Sequence, residues 1–117
     1  MPFELTESVH PNARVVAITG DFDLSVAGQA EPVLSRSSSD PDRALVVDLT
    51  GCTFMDSTAL ALIVGAARAL TNGQSKIAIA CLWDSPVREL LRLTGIDQTV
   101  PVLATLAEAL EAALATE

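Results

Sequence analysis

Positive charge is scarce in this chain, and the scarcity excludes several classes of partner. The 117 residues include 7 Lys and Arg against 15 Asp and Glu, which gives a formal net charge of −8. Proteins that bind nucleic acid or anionic membrane surfaces carry clusters of basic side chains that neutralise phosphate groups. No such cluster occurs here, so we expect neither nucleic acid nor a lipid surface as a direct partner.

Cysteine and histidine are also rare, which argues against redox and hydrolytic chemistry. Cys52 and Cys81 are separated by 29 positions in apolar surroundings, a spacing that fits neither a metal site nor a redox motif, so we interpret both as buried hydrophobic residues. The one histidine, His10, lies in a predicted turn, and a serine nucleophile needs a nearby base. Because phosphate-binding glycine loops and Gly-x-Ser-x-Gly elbows are also absent, we expect neither an enzyme nor a cofactor.

Three aspartates near predicted strand ends raise the question of a cation site. Asp21, Asp23 and Asp48 lie in separate segments and do not have the spacing of a calcium-binding loop. Loop polarity and helix capping explain them better, so we expect no metal site.

The chain has few aromatic residues and no long apolar run. With three Phe, one Trp and no Tyr, a core must be built from Leu, Val, Ile and Ala. No run approaches the roughly 20 apolar residues of a membrane-spanning helix, and the first residues lack a positively charged leader. We therefore expect a cytoplasmic protein that folds as one domain over residues 1–117, a length at which one core suffices.

Strand-like and helix-like patterns alternate along the chain. Strands are predicted at residues 3–8, 14–20, 44–49 and 76–82, with a short edge strand at 100–103 that contains Pro101. Helices are predicted at residues 26–35, 57–70, about 86–94 and about 105–115. Ser25 is the predicted cap of the first helix, residues 50–54 are a predicted loop, and Leu106, Leu110 and Leu114 are the predicted buried stripe of the last helix. The order ββαβαβα(β)α indicates an α/β fold.

The helix at residues 57–70 is unusual because both of its faces carry little charge. One face is apolar and suits a core contact; it comprises Leu60, Ile63, Val64, Ala67 and Leu70. The opposite face is small or apolar and comprises Thr58, Ala61, Leu62, Gly65 and Ala69, with Arg68 as the one charged residue of the helix. Either the helix is enclosed within the domain, or its outer face binds a partner. We favour the second interpretation, in which Leu62 is an apolar anchor.

The start of this helix combines an acid with two hydroxyl groups, Asp56, Ser57 and Thr58. Asp or Ser at this position commonly caps a helix by accepting hydrogen bonds from free backbone N–H groups. A helix start also favours anions, so a phosphate on a hydroxyl here is the second interpretation. Such a group adds a charge of roughly −1.5 to −2 at the rim of an apolar face and would act as a binding switch.

Several segments resemble the STAS-domain anti-sigma factor antagonists. VVDLT at residues 46–50 followed by FMDSTAL at 54–60 is similar to the family's strand, loop and Met-Asp-Ser-Ser/Thr-Gly-Leu-Gly helix start. GDFD at 20–23 resembles the family's Gly-Glu-Leu-Asp, and SPVRELL at 85–91 with LTGI at 93–96 resembles its Ser-Pro segment. The segments occur in the family's order and cover nearly the whole chain.

The resemblance implies a fold and a mechanism. The fold would be a mixed sheet of four to five strands flanked by about four helices. The unmodified protein would bind an anti-sigma factor of the histidine-kinase-like ATPase type and free a sigma factor. That kinase would phosphorylate Ser57, which abolishes binding, and a phosphatase would reset the switch. Asp56 and Thr58 would flank the acceptor, with Asp23 near the same surface.

The sequence departs from the family motif at two positions, and the same domain has a second known use. Ala59 and Ala61 replace the two glycines of the family motif, which raises helix propensity and adds methyl groups beside the acceptor. The resemblance extends to STAS modules outside sigma regulation, such as lipid-transporter subunits and stress-signalling scaffolds. These modules also bind their partners through the outer face of this helix. Both uses are consistent with the segments at residues 20–23, 46–60 and 85–96.

Overall fold

A computed structural model describes residues 2–73 and 76–115 of the chain. Its strands are β1 (Glu4–Val9), β2 (Ala13–Phe22), β3 (Ala44–Asp48), β4 (Cys52–Met55), β5 (Ile77–Ala80) and β6 (Val102–Leu103). Its helices are α1 (Leu24–Ser38), α2 (Ser57–Asn72), α3 (Pro86–Thr94) and α4 (Leu106–Leu114), with a short 3-10 helix at Ile96–Gln98. This is the mixed α/β architecture that the sequence predicts.

The strands form one sheet in the order β1-β2-β3-β5-β6, with β4 paired to β2 outside this path. β1 is antiparallel to β2, and every other pairing is parallel. β2 is long enough to pair with β3 along its first half and with β4 along its end. The change of partner occurs at a register shift between Gly20 and Asp21, where Gly20 has a φ of 78°, a conformation that suits glycine.

Both faces of the sheet are covered, which explains the apolar runs in the central strands. Alternate residues point to opposite faces. One core contains residues of α1, α2 and α3 together with strand residues Val16, Leu45, Val47, Ile77 and Ile79. The other core lies under α4 and contains strand residues Val15, Val46, Ala78 and Ala80. None of the helices within the described ranges combines the length and hydrophobicity that crossing a bilayer requires.

Both cysteines lie in the interior, as the sequence predicts. Cys52 and Cys81 are buried free thiols that belong to the larger core. Burial raises the pKa of Cys52 to about 11 and also raises the pKa of Cys81. Both groups are therefore protonated at neutral pH and pack as small apolar side chains.

The predicted loop at residues 50–54 is wrong, because Cys52–Met55 forms β4. Cys52 and Met55 are buried, whereas Thr53 and Phe54 between them are exposed. Four residues without strict alternation give no strand periodicity. β4 exists because the end of β2 extends beyond β3 and offers it a partner.

Two details of the predicted helices are also wrong. The cap of α1 is Asp23 and not Ser25, whose backbone N–H donates to the Asp23 carboxylate at 3.0 Å. In α4 the buried residues are Ala109 and Ala113, while Leu114 is exposed. Small residues face the sheet because β5 presents Ala78 and Ala80 there, and the helix packs closely against them.

Candidate functional site

The starts of α1 and α2 lie at the same edge of the sheet. β2 and β4 are parallel neighbours, and each is followed directly by a helix, α1 after β2 and α2 after β4. Because parallel strands end at a common edge, the residues that follow them lie close together. Asp23 and Ser57, 34 positions apart in the sequence, therefore belong to one surface.

Asp56 organises this surface through both oxygens of its carboxylate. The backbone N–H of Ala59 donates to Oδ1 at 3.0 Å, which caps α2. The backbone N–H of Leu24 donates to Oδ2 at 2.9 Å, which fixes the first residue of α1. The hydrogen bonds from Ala59 and Leu24 hold the pKa of Asp56 below its ordinary value, so the group is ionised at neutral pH.

The hydroxyl of Ser57 is not used to cap α2. Asp56 caps the helix, and the side chain of Ser57 is exposed at its first position. Within residues 2–73 and 76–115 no hydrogen bond to the Ser57 hydroxyl occurs. Thr58 is half-buried. Of the two hydroxyl groups at the helix start, Ser57 is therefore the more accessible to another protein.

The three aspartates considered for a cation site have local structural roles. Asp23 caps α1 and also accepts a hydrogen bond from the Ser25 hydroxyl at 2.5 Å. Asp48 accepts hydrogen bonds from the backbone and hydroxyl of Thr50, at 3.0 and 2.7 Å. Asp21 accepts a hydrogen bond from the Thr53 hydroxyl at 3.0 Å. Asp23 is thus a helix cap and Asp48 a turn residue, whereas Asp21 links β2 to β4.

The outer face of α2 presents small residues to solvent. Ala61, Gly65 and Ala69 are exposed, and a Cβ atom built on Gly65 meets no atom within 4 Å. The position of Leu62 differs from the prediction that its side chain is an apolar anchor on the outer face. Leu62 is half-buried and packs against the larger core, and it lines a groove of about 210 Å³ between α1 and α2.

The two alanines that replace family glycines have different environments. Ala59 is buried, and its methyl group lies in the larger core. Ala61 is exposed one turn after Ser57. Of the two added methyl groups, the one on Ala59 contributes to packing, while the one on Ala61 is exposed to solvent.

Two exposed apolar side chains at this edge were not singled out from the sequence. Leu24 is 69% exposed and Phe54 is 50% exposed. Phe54 precedes the Asp56 cap by two positions and Leu24 is tied to it by a hydrogen bond. Sequence patterns give no signal for the Leu24 contact, because it joins elements 32 positions apart.

Comparison with known proteins identifies the family. A sequence model of the STAS domain matches residues 5–109. The chain belongs to the STAS domain family. It is 29% identical over 106 residues to the anti-sigma-F factor antagonist RsfB of Mycobacterium tuberculosis, covering 91% of this chain and 85% of RsfB. The resemblance found in the motifs is thereby confirmed.

Solved structures of other proteins share the fold. An anti-sigma factor antagonist from Mycobacterium paratuberculosis superposes with a TM-score of 0.84 at 26% identity, covering 96% of this chain and 94% of that one. The phosphorylated form of the Bacillus cell fate determinant SpoIIAA superposes with a TM-score of 0.70 at 22% identity, covering 95% of this chain and 98% of SpoIIAA. In this STAS domain, the sequence motifs at residues 20–23 and 54–60 meet at the edge where α1 and α2 begin.

Proposed function

We propose that this protein is an anti-sigma factor antagonist that acts by binding and not by catalysis. The unphosphorylated form binds an anti-sigma factor and so releases a sigma factor in the cytoplasm. The observation that carries the proposal is the exposed side chain of Ser57 at the end of a small-residue helix face. The similarity to RsfB and to the mycobacterial antagonist structure supports it.

The partner contacts the surface formed by the two helix starts and the outer face of α2. The contact residues are Asp23, Asp56, Thr58, Ala61, Leu62, Gly65 and Ala69. Alanine and glycine on an exposed face allow another backbone to approach closely. The groove beside Leu62, which Glu31 and Ser35 of α1 also line, offers a recess at the side of this face.

Phosphorylation of Ser57 switches this binding off. The partner is itself a serine kinase of the histidine-kinase-like ATPase type. The Ser57 oxygen attacks the γ-phosphorus of ATP, loses its proton to water, and ADP leaves. A phosphatase hydrolyses the phosphoserine and restores the binding form. Phosphorylated SpoIIAA, which has this fold, supports a phosphorylated state.

The environment of Ser57 explains why a phosphate would oppose binding. It adds a charge of roughly −1.5 to −2 directly beside the ionised carboxylate of Asp56. That carboxylate already accepts the N–H group of Ala59, so the helix start offers the phosphate less compensation. Burying such a charge against a partner costs several kcal/mol, and about 2 kcal/mol already lowers affinity about thirtyfold.

The test measures affinity for the purified anti-sigma factors of the source organism, one at a time, by calorimetry. Without ATP, Ser57→Ala should bind as tightly as the unmodified protein, and Ser57→Glu should bind at least tenfold more weakly. With ATP, the unmodified protein should lose binding, whereas Ser57→Ala should keep it. Ser39→Glu is a matched control, since Ser39 is an exposed serine at the far end of α1. After the protein is incubated with ATP and the anti-sigma factor that binds it, mass spectrometry should find phosphate on Ser57.

Two results would contradict the proposal. Equal affinity of the unmodified protein and Ser57→Glu would remove the switch. Absence of binding to every anti-sigma factor, together with binding to a transporter subunit, would instead support a STAS module outside sigma regulation.

A further inference from the structure

An exposed tryptophan marks a second part of the same sheet edge. Trp83 is the one tryptophan of the chain and is 74% exposed, and Leu82 before it is 45% exposed. Tryptophan is among the most buried residue types on average. An exposed tryptophan beside an exposed leucine indicates a contact surface, and tryptophan is enriched among residues that dominate binding energy.

The tryptophan is held in a defined position. The guanidinium carbon of Arg88 lies 4.1 Å from the centre of the Trp83 ring, a cation–π contact. Arg88 also donates hydrogen bonds to the backbone oxygen of Cys81 at 2.6 Å and to that of Val102 at 3.1 Å. The ring is therefore ordered before any partner arrives, which lowers the entropic cost of using it as an anchor.

Topology places Trp83 at the edge that carries Ser57. β3 is parallel to both β2 and β5, and β4 is parallel to β2. The ends of β4 and β5 therefore lie at one edge of the sheet. Trp83 follows β5 in the connection to α3, and α3 packs against β4, the strand that leads to Ser57.

The charge at this edge is predominantly negative. Carboxylates at the ends of β2 and β3 and in the connections to α1, α2 and α3 belong to Asp21, Asp23, Asp48, Asp56 and Asp84. A cation at this edge, Arg88, is stacked on Trp83. A protein that covers this edge would meet the carboxylates with basic side chains.

We propose that Leu82 and Trp83 form a second anchor for the anti-sigma factor, whose facing surface is basic around an apolar recess that receives the indole ring. The proposal rests on the proposed function and adds to it a contact on the β5–α3 connection. Binding would then join two points of one edge, the Ser57 helix start and the Trp83 ring.

The test uses the full chain labelled with 5-fluorotryptophan, so that Trp83 gives the one fluorine signal. Titration with a purified anti-sigma factor that binds the unmodified protein should shift or broaden that signal. Trp83→Ala should lower affinity at least tenfold, and Asp84→Lys at least threefold. Leu93→Ala is the control, because Leu93 is 67% exposed near the end of α3, away from this edge, and should change affinity less than twofold.

The outcomes separate this inference from the proposed function. If the unmodified protein binds, but the fluorine signal is unchanged and Trp83→Ala binds equally well, the second anchor is wrong and the proposed function stands. If no anti-sigma factor binds the unmodified protein, both fail. Thermal unfolding of each variant shows whether a loss of affinity comes from loss of the fold. Asp84→Lys changes the charge of the same surface and keeps the indole ring of Trp83.

Discussion

Asp56 and Leu24 are joined by a hydrogen bond of 2.9 Å from the Leu24 backbone N–H to the Asp56 carboxylate. The other oxygen of the same carboxylate accepts the N–H of Ala59 at 3.0 Å. One side chain therefore holds the starts of α1 and α2 together and sets where Ser57 lies. The aspartate of the family motif has a structural function beside any role in partner binding.

Replacing Asp56 should destabilise the fold. Asp56→Ala removes a helix cap and the link to α1, and we expect the melting temperature to fall by about 5 °C. Asp56→Asn keeps one carbonyl oxygen and can retain one of the two hydrogen bonds. Its melting temperature should therefore lie between those of Asp56→Ala and the unmodified protein. Circular dichroism melts measure both, with Glu31→Ala, an exposed acid on α1, as the control. An unchanged melting temperature for Asp56→Ala would show that the two bonds contribute nothing.

Stability should fall in acid because of Asp40. Arg14 donates to the Asp40 carboxylate at 2.8 Å and Arg43 at 3.0 Å. Hydrogen bonds from Arg14 and the backbone of Asp42 lower the pKa of Asp40 from its ordinary value of 3.8 to about 2. The lowered pKa stabilises the folded state above pH 3.8, and this contribution is lost as the pH falls through about 2.

Urea unfolding at pH 5.0, 3.5 and 2.5 measures the contribution of Asp40. Asp40→Asn should be less stable than the unmodified protein at pH 5.0, and the difference between them should shrink towards pH 2.5. Asp42→Asn, an exposed neighbour, should follow the unmodified protein throughout. A constant difference between Asp40→Asn and the unmodified protein across this range would contradict the assignment.

Gly51 should tolerate a side chain poorly. A Cβ atom at this position would lie 2.6 Å from Cγ2 of Thr19, in the turn between β3 and β4 where Gly51 oxygen accepts the Gly20 N–H at 2.9 Å. We expect Gly51→Ala to lower the free energy of unfolding by about 1–3 kcal/mol. In a Thr19→Ala background the loss should be smaller, since the clashing methyl group is gone. Equal losses in both backgrounds would exclude this clash as the cause.

The sequence predicts most of the fold because its signals are local. The predicted helix at about residues 86–94 is confirmed, since Pro86 is the first residue of α3 and Gly95 ends it with a φ of 77°, as proline and glycine commonly do at helix ends. β4 is missed because it depends on the excess length of β2 and not on its own residues. The sequence analysis predicts Ser25 and not Asp23 as the cap of α1 because aspartate and serine both suit that role.

The candidate site is predicted in part. Residues 54–58 carry a motif, so Asp56 and Ser57 are found from the sequence. The bond between Asp56 and Leu24 and the stacking of Arg88 on Trp83 are tertiary contacts, and no periodicity encodes them. The half-buried position of Leu62 depends on how closely α1 approaches α2, which helical periodicity does not fix.

Glycine at position 65 should make the fold less stable than alanine would. It lies in the interior of α2 and is exposed, and a Cβ atom at this position would have open space around it. Because glycine is about 0.8–1.0 kcal/mol less favourable than alanine inside a helix, Gly65→Ala should raise the free energy of unfolding by about 0.5–1 kcal/mol. Gly28→Ala in α1, which has similar open space, should give a similar gain. Urea unfolding measures both.

A larger side chain at Gly65 should keep the fold and weaken the partner. Gly65→Gln adds an uncharged residue with good helix propensity, so the domain should remain folded while close approach of another backbone to α2 is blocked. We expect at least a fivefold loss of affinity for the anti-sigma factor in calorimetry. Gly28→Gln is the matched substitution on α1 and should bind as the unmodified protein does. Full affinity of Gly65→Gln would place the partner off this face of α2, because a side chain of that size leaves no room for a closely packed backbone.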